Sequence, residues 1–131
     1  MSRLRHLFGS GLAPIQPVPH ATAADIERVV RRDFAEDRAG DALAILAEYG
    51  TEPWHRETPR VRLAALKLAD GSLEKLRNAI DRAKRDYRDV LGPAEYPSYM
   101  EHWVRTGRLR SRERQKIYTD DWQQYERWLK K

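Results

Sequence analysis

Apolar residues recur at intervals of three and four between Ser72 and Gly92, and nearly every position between them is charged or polar. This spacing is typical of an amphipathic helix that buries one face. Because that face needs a surface to cover it, the pattern predicts a packed helical domain. The apolar positions of the stripe are Leu73, Leu76, Ile80, Ala83, Tyr87 and Val90.

A second helix is predicted over about residues 59–69, with Thr58 as its cap. Its apolar residues fall on more than one side, which is typical of a central, buried helix. A short turn ending at Ser72, a good capping residue, leads into the helix expected over 72–91, which stops before Pro93. So short a turn predicts a central antiparallel helix hairpin.

Two further helices are predicted earlier in the chain. Thr22 and Asp25 have the spacing of a capping box and mark the first start. Residues 36–40 are interpreted as a break, and the next helix is expected over 41–49. Gly50 then suits the left-handed position that follows a helix end.

The pattern as a whole predicts an all-α single domain of five or six helices. Residues 1–21 contain three prolines and are expected to form an irregular N-terminal arm, followed by a helical domain over 22–131. Its last third, 102–131, is basic and aromatic. There a short helix is expected from Ser98 and a final helix from a cap at Thr119 or Asp120.

Composition removes several classes of chemistry. The 131 residues include no cysteine, which excludes disulfides, zinc–thiolate sites and thiol catalysis in this chain. That composition fits a reducing compartment, so a cytoplasmic location is expected. No apolar run reaches the roughly 18 residues that a membrane span requires, and no membrane association is expected.

Candidate catalytic and metal-binding groups are scattered. Glu52 and His55 have the spacing of a metal-binding pair, but the pair occurs once and Pro53 interrupts it. No metal, cofactor or catalytic residue is therefore assigned. An enzyme that uses carboxylate and histidine chemistry remains an alternative, with Glu57 near His55 and Glu95 beside Tyr96 as its candidate groups.

Positive charge is concentrated near the C-terminus. The whole chain carries +5, and residues 102–118 alone contain six basic residues and one acidic residue. Arginines flanked by aromatic rings are common both at protein interfaces and on nucleic-acid-binding surfaces. The candidate partner-binding residues are Trp103, Arg105, Arg108, Arg110, Arg112, Arg114, Lys116 and Tyr118.

The leading functional hypothesis is a non-enzymatic module that binds another protein, or a second copy of itself, through this C-terminal third. The alternative is a nucleic-acid-binding accessory protein that uses the arginine-rich segment 105–116. Two structural interpretations stand beside these hypotheses. The arginines can instead cover acidic parts of the same chain, and Trp122, Tyr125 and Leu129 can close the core. Trp54 is interpreted as a cover over the helices on either side of its loop.

Overall fold

The computed structural model describes residues 18–102 in full, the backbone of 103–106, and residues 110–131. The all-α prediction is confirmed, because this part of the chain forms helices and no strand. Seven helices are present in it, more than the five or six expected. They are α1 (Ala23–Asp33), α2 (Glu36–Ala47), α3 (Thr58–Ala69), α4 (Leu73–Arg85), α5 (Arg88–Glu95), α6 (Pro97–Thr106) and α7 (Ser111–Lys130).

Helix α1 begins with the predicted capping box. The Asp25 amide donates to the Thr22 hydroxyl at 3.1 Å, and the Asp25 carboxylate accepts from the Thr22 amide at 3.3 Å. Two amides that the first turn would leave unpaired are thereby satisfied. The apolar face of α1 then points into the core through Ile26, Val29 and Val30.

Helix α2 begins earlier than the sequence suggested, so the predicted break at residues 36–40 is wrong. The chain leaves the helical conformation at Phe34 and Ala35, and it resumes it at Glu36. Acidic side chains in the first turn, Glu36 and Asp37, favour this start because they lie at the positive end of the helix dipole. Gly40, taken as a helix breaker, is an exposed residue inside the helix.

Helix α3 lies where it was predicted and contacts α1, α4 and α5. Six of its residues are buried: Val61, Leu63, Ala64, Ala65, Leu66 and Ala69. Thr58 was predicted to cap α3, and this prediction is wrong. The preceding residue is Glu57, whose backbone is left-handed (φ 53°) and whose carbonyl accepts from the Val61 amide at 2.8 Å.

The predicted helix over 72–91 is divided in two, so the single long helix is a wrong prediction. Ser72 caps α4 as expected, accepting from the Lys75 amide at 3.2 Å. The helix then ends because Asp86 adopts an extended backbone (φ −159°) and accepts from the Arg88 amide at 3.0 Å. A short carboxylate competes well for backbone amides in this way. Pro93 lies inside α5 instead of ending the helix.

Most of the apolar stripe is buried, and Leu73 and Tyr87 at its edges are partly buried. Leu76, Ile80 and Val90 have no exposed surface, and Ala83 and Leu91 are also buried. The stripe therefore continues across the break at Asp86, because α5 resumes with its apolar residues toward the same core. In the described part of the chain, none of the helices is both long enough and apolar enough to cross a membrane.

Helix α7 begins at Ser111, not at the predicted cap near Thr119 or Asp120, so Arg112 to Lys116 lie in its first turns. Its buried Asp121 carboxylate accepts from the amides of Ser98 at 3.1 Å and Tyr99 at 3.0 Å. An α7 side chain thus caps the first turn of α6, which fixes the two helices to each other.

The C-terminal end of α7 packs against the body of the protein. Tyr125 is buried, and Trp128 and Leu129 pack against the core. Arg32 of α1 donates to the Trp128 carbonyl at 2.7 Å and lies 5.3 Å from the centre of its ring. These contacts agree with the structural interpretation in which the last helix closes the core.

A buried ion pair joins α3 to α5. Arg60 donates two hydrogen bonds to the Glu95 carboxylate, at 2.7 and 2.8 Å, and Glu95 is only 2% exposed. A bidentate pair of this kind compensates for the cost of removing both charges from water. The Glu95 carboxylate depends on this pairing, whereas Arg60 is partly exposed and also lies 3.5 Å from Glu57.

We expect Arg60→Met to lower the free energy of unfolding by about 3–5 kcal/mol, because it leaves the Glu95 carboxylate buried without a counterion. The double variant Arg60→Met/Glu95→Met should recover most of this loss. Urea denaturation at neutral pH measures both. An equal loss of unfolding free energy in the single and double variants would contradict the role of Arg60 as the counterion of Glu95.

Gly40→Ala should stabilise the protein by about 0.5–1 kcal/mol, because glycine in a helix interior loses more backbone entropy on folding than alanine does. A Cβ at Gly40 meets no atom within 4 Å. Gly50→Ala is the matched control and should destabilise, since Gly50 has φ +109° and its Cβ would lie 2.6 Å from the Thr58 methyl carbon. Thermal unfolding of both variants tests whether Gly40→Ala raises and Gly50→Ala lowers the melting temperature.

Candidate functional site

The loop between α2 and α3 holds the most exposed aromatic side chain of the described residues. Trp54 is 65% exposed, so the expectation that it covers the neighbouring helices is wrong. An indole is a large apolar surface with one polar N–H group, and tryptophan is enriched at protein interfaces. What keeps Trp54 in this position is the geometry of the loop.

His55 organises the loop by accepting hydrogen bonds from its main chain. The amides of Gly50, Thr51 and Glu52 lie 2.8, 3.1 and 3.3 Å from its Nδ1 atom. Backbone amides only donate, so Nδ1 carries no hydrogen and the neutral ring has its proton on Nε2. The Glu52–His55 pair, whose spacing was considered for a metal site and rejected, has its Nδ1 atom occupied by these amides.

Tyr49 also holds this loop in place, through ring stacking and hydrogen bonds. Its ring stacks on His55 with the ring centres 4.4 Å apart. Its hydroxyl donates to the Arg56 carbonyl at 2.7 Å and accepts from the Arg56 amide at 3.0 Å. Arg62 of α3 donates to the Tyr49 carbonyl at 2.7 Å. Burial raises the pKa of the Tyr49 phenol above its ordinary value.

A cleft of about 260 Å³ separates this loop from the break between α4 and α5. The extended backbone at Asp86 turns the chain there and places Tyr87, half-buried, on the far wall. Three cationic side chains and one carboxylate, that of Asp86, also line the cleft. We name it the Trp54 cleft, and its principal side chains are Trp54, His55, Lys84, Arg85, Tyr87 and Arg88.

The cations of the cleft differ in how they are paired. Arg88 binds Asp86 at 3.0 Å, and Lys84 binds Glu48 at 2.7 Å. Arg85 is exposed, and in the described residues no carboxylate lies within ion-pair distance of it. Its guanidinium is therefore available to an anionic group outside the molecule.

Glu48 ends α2 beside the cleft and joins that helix to α4. Arg77 donates to its two oxygens at 2.6 and 2.8 Å, in addition to the bond from Lys84. Hydrogen bonds from Arg77 and then Lys84 lower the pKa of Glu48 from 4.5 to about 2. A second, more open depression of about 490 Å³ contains Glu48 and Glu52 and shares Trp54, His55 and Lys84 with the Trp54 cleft.

The predicted partner-binding residues that the structure describes differ in exposure. Arg110, Arg112 and Lys116 are exposed at the start of α7, while Arg114 is half-buried and Lys116 binds Asp120 at 2.9 Å. Tyr118 is buried against the rings of Tyr96 and Tyr99, so its face is not open for stacking. The side chains of Trp103 and Arg105, and all of Arg108, lie outside the described residues.

The carboxylates considered for catalysis face Arg60. Glu95 forms the buried ion pair, and Glu57 lies 3.5 Å from the same guanidinium. Among the described residues, no three potential ligands come together in a metal-binding group. Neither observation supports the enzyme alternative.

Arg85 received only a helix-surface explanation from the sequence, and Trp54 was interpreted as packing. The available signal was a tryptophan in a loop bounded by Gly50 and Pro59, where the chain has no apolar neighbour to cover the indole. The hydrogen bonds to His55 have no sequence signature. Comparison of the chain with protein-family models, curated proteins and solved structures gives no match.

Glu48→Gln should lower the melting temperature at neutral pH, because it removes a carboxylate that two cations stabilise. A carboxylate with a lowered pKa in the folded state contributes stability above its unfolded value, here 4.5, and loses it as the pH falls toward 2. The difference in melting temperature between Glu48→Gln and wild type should therefore vanish as the pH falls from 4.5 toward 2. Glu27→Gln, which affects an exposed pair with Arg31, is the control and should cause little change. A difference in melting temperature that stays constant down to pH 2 would contradict the stabilising role of the ionised Glu48 carboxylate.

Proposed function

We propose that the protein is a non-enzymatic protein-binding module and that a segment of its partner docks in the Trp54 cleft. The observation that carries the proposal is an indole 65% exposed on a loop whose main chain is hydrogen-bonded to His55. A rigid loop has little freedom to lose on binding, so more of the contact energy becomes affinity. Tryptophan and arginine are also the side chains most often dominant at protein interfaces.

The proposal includes the predicted antiparallel packing of α3 and α4. Two observations support it: residues 70–72 form a short connection, and the two helices contact each other. In that arrangement the end of α4 returns to the start of α3. Lys84 and Arg85 then come to the loop that carries Trp54, as the shared cleft requires.

The C-terminal third contributes less to the proposed surface than the sequence suggested. Tyr118 and Tyr125 are buried, and Trp128 packs on the core. The basic start of α7 remains exposed there. The tryptophans of α7, Trp122 and Trp128, lie further along the helix and are half-buried. We therefore place the principal contact at Trp54 and propose a cytoplasmic setting from the absence of cysteine.

One observation favours nucleic-acid binding as a second candidate. Arg110 and Arg112 are exposed, and no carboxylate of the described residues lies within ion-pair distance of either guanidinium. Both are available to phosphates, which contribute sequence-independent affinity. The buried Tyr118 weakens this candidate, because base stacking needs an open ring face.

The test is selection of random peptides displayed on phage against the immobilised full chain. Peptides that bind wild type should lose at least about tenfold in affinity with Trp54→Ala, the effect expected of an interface hot spot. Met100→Ala removes another exposed apolar side chain and should retain binding. Melting temperatures of both variants should stay close to that of wild type, since neither side chain belongs to the buried core.

Three results would contradict the proposal. One is the absence of any enriched peptide, and another is enrichment that Trp54→Ala leaves unchanged. The third is a dimer in light scattering that Trp54→Ala dissociates, because the cleft would then bind a second copy. Retardation of RNA or DNA at low salt, abolished by Arg110→Ala/Arg112→Ala and unaffected by Trp54→Ala, would favour the second candidate instead.

A further inference from the structure

We infer that the segment bound in the Trp54 cleft is acidic, with an apolar side chain against Trp54 and a carboxylate that accepts from His55 Nε2 and from Arg85. This inference depends on the proposed function and adds the chemistry of the partner. It combines three observations: the tautomer of His55 that the loop amides require, the guanidinium of Arg85, which no carboxylate of the described residues pairs, and the exposed indole of Trp54 in the same cleft.

His55 offers a donor whose identity is determined by the loop. Three main-chain amides already donate to Nδ1, so the only polar ring atom left for a ligand is Nε2, and it carries the hydrogen. Stacking on Tyr49 holds the plane of the ring. A donor held in place in this way selects an acceptor, and a carboxylate oxygen is the strongest acceptor that a peptide side chain supplies.

The charges of the cleft favour the same ligand. Of the three cations of the cleft, Lys84 is bound by Glu48 and lies 3.7 Å from Asp81, Arg88 is bound by Asp86, and Arg85 has no carboxylate within ion-pair distance in the described residues. Glu48, on the adjoining depression, is already bound by Arg77 and Lys84, which offsets its charge. Glu52 is the remaining carboxylate of that depression and lies on its more open side. Arg85 is therefore the cation of the cleft whose charge is open to a ligand, and it favours an acidic segment over a basic one.

Trp54 adds a requirement for an apolar or aromatic residue next to the acidic group. Covering the indole removes apolar surface from water and excludes solvent from the neighbouring charge contacts. Both effects strengthen a hydrogen bond between a carboxylate and His55 or Arg85. A purely acidic segment without such a residue would leave Trp54 in water.

The experiment uses three displayed peptide libraries with a central Trp, Phe or Leu. The flanking positions carry Asp and Glu in the first library, Lys and Arg in the second, and only Ser, Gly and Asn in the third. We expect enrichment on the wild-type protein from the acidic library alone. Trp54-dependent enrichment from the neutral or basic library would overturn the inference and leave the proposed function intact. Enrichment from none of the libraries would remove both.

An enriched acidic peptide, fluorescein-labelled, then measures the contribution of Arg85 by anisotropy. Arg85→Gln should weaken binding about two- to fivefold, the range of an exposed ion pair, and should reduce its salt dependence. Arg38→Gln is the matched control, because Arg38 is an exposed arginine in the first turns of α2, at the other end of that helix from Glu48. Equal weakening by both variants would show that only overall charge matters.

Long-range proton–nitrogen NMR of the histidine side chains tests His55 without altering it. In the free protein the spectrum should show the Nε2–H tautomer. The Nε2 resonance should shift when the acidic peptide is added. An Nδ1–H tautomer, or an Nε2 resonance unchanged at saturation, would overturn the role of His55.

Discussion

Helix α3 is packed by α1, α4 and α5, and this burial is the constraint on which the arrangement of the other helices depends. Its small residues Ala64, Ala65 and Ala69 are fully covered, which lets neighbouring backbones approach closely. The ion pair of Arg60 with Glu95 adds direction to contacts that are otherwise apolar, because a bidentate pair has one good geometry. The start of α3 thereby fixes the end of α5.

The Trp54 cleft follows from this packing. Its loop immediately precedes α3, and its opposite wall is the junction of α4 and α5, so both sides are fixed by helices that contact α3. The site therefore has a rigid base, while the side chains that face solvent come from a loop and a helix break. Binding residues are commonly found in such positions, since a loop can vary without disturbing the core.

Patterning predicted the parts of the fold that depend on apolar periodicity and caps. The buried stripe of Leu76 and Ile80, the capping box at Thr22 and the position of α3 all follow from local chemistry. The break at Asp86 was not predicted, because the apolar stripe continues through it. The break depends on a hydrogen bond from the Arg88 amide to the Asp86 carboxylate, which has no periodic signal in the sequence. The cleft was missed for a similar reason: it joins residues about thirty positions apart in the chain, and periodicity contains no information on such contacts.

The loop of the cleft is held through main-chain atoms. The donors to His55 are amides of Gly50, Thr51 and Glu52, so the side chains at 51 and 52 take no part in that anchoring. Both side chains line the depression beside Trp54. Under the proposed function, exchange of the Glu52 side chain would change what the loop recognises without removing a hydrogen bond to His55, whereas the Thr51 hydroxyl also donates to the Glu48 carbonyl.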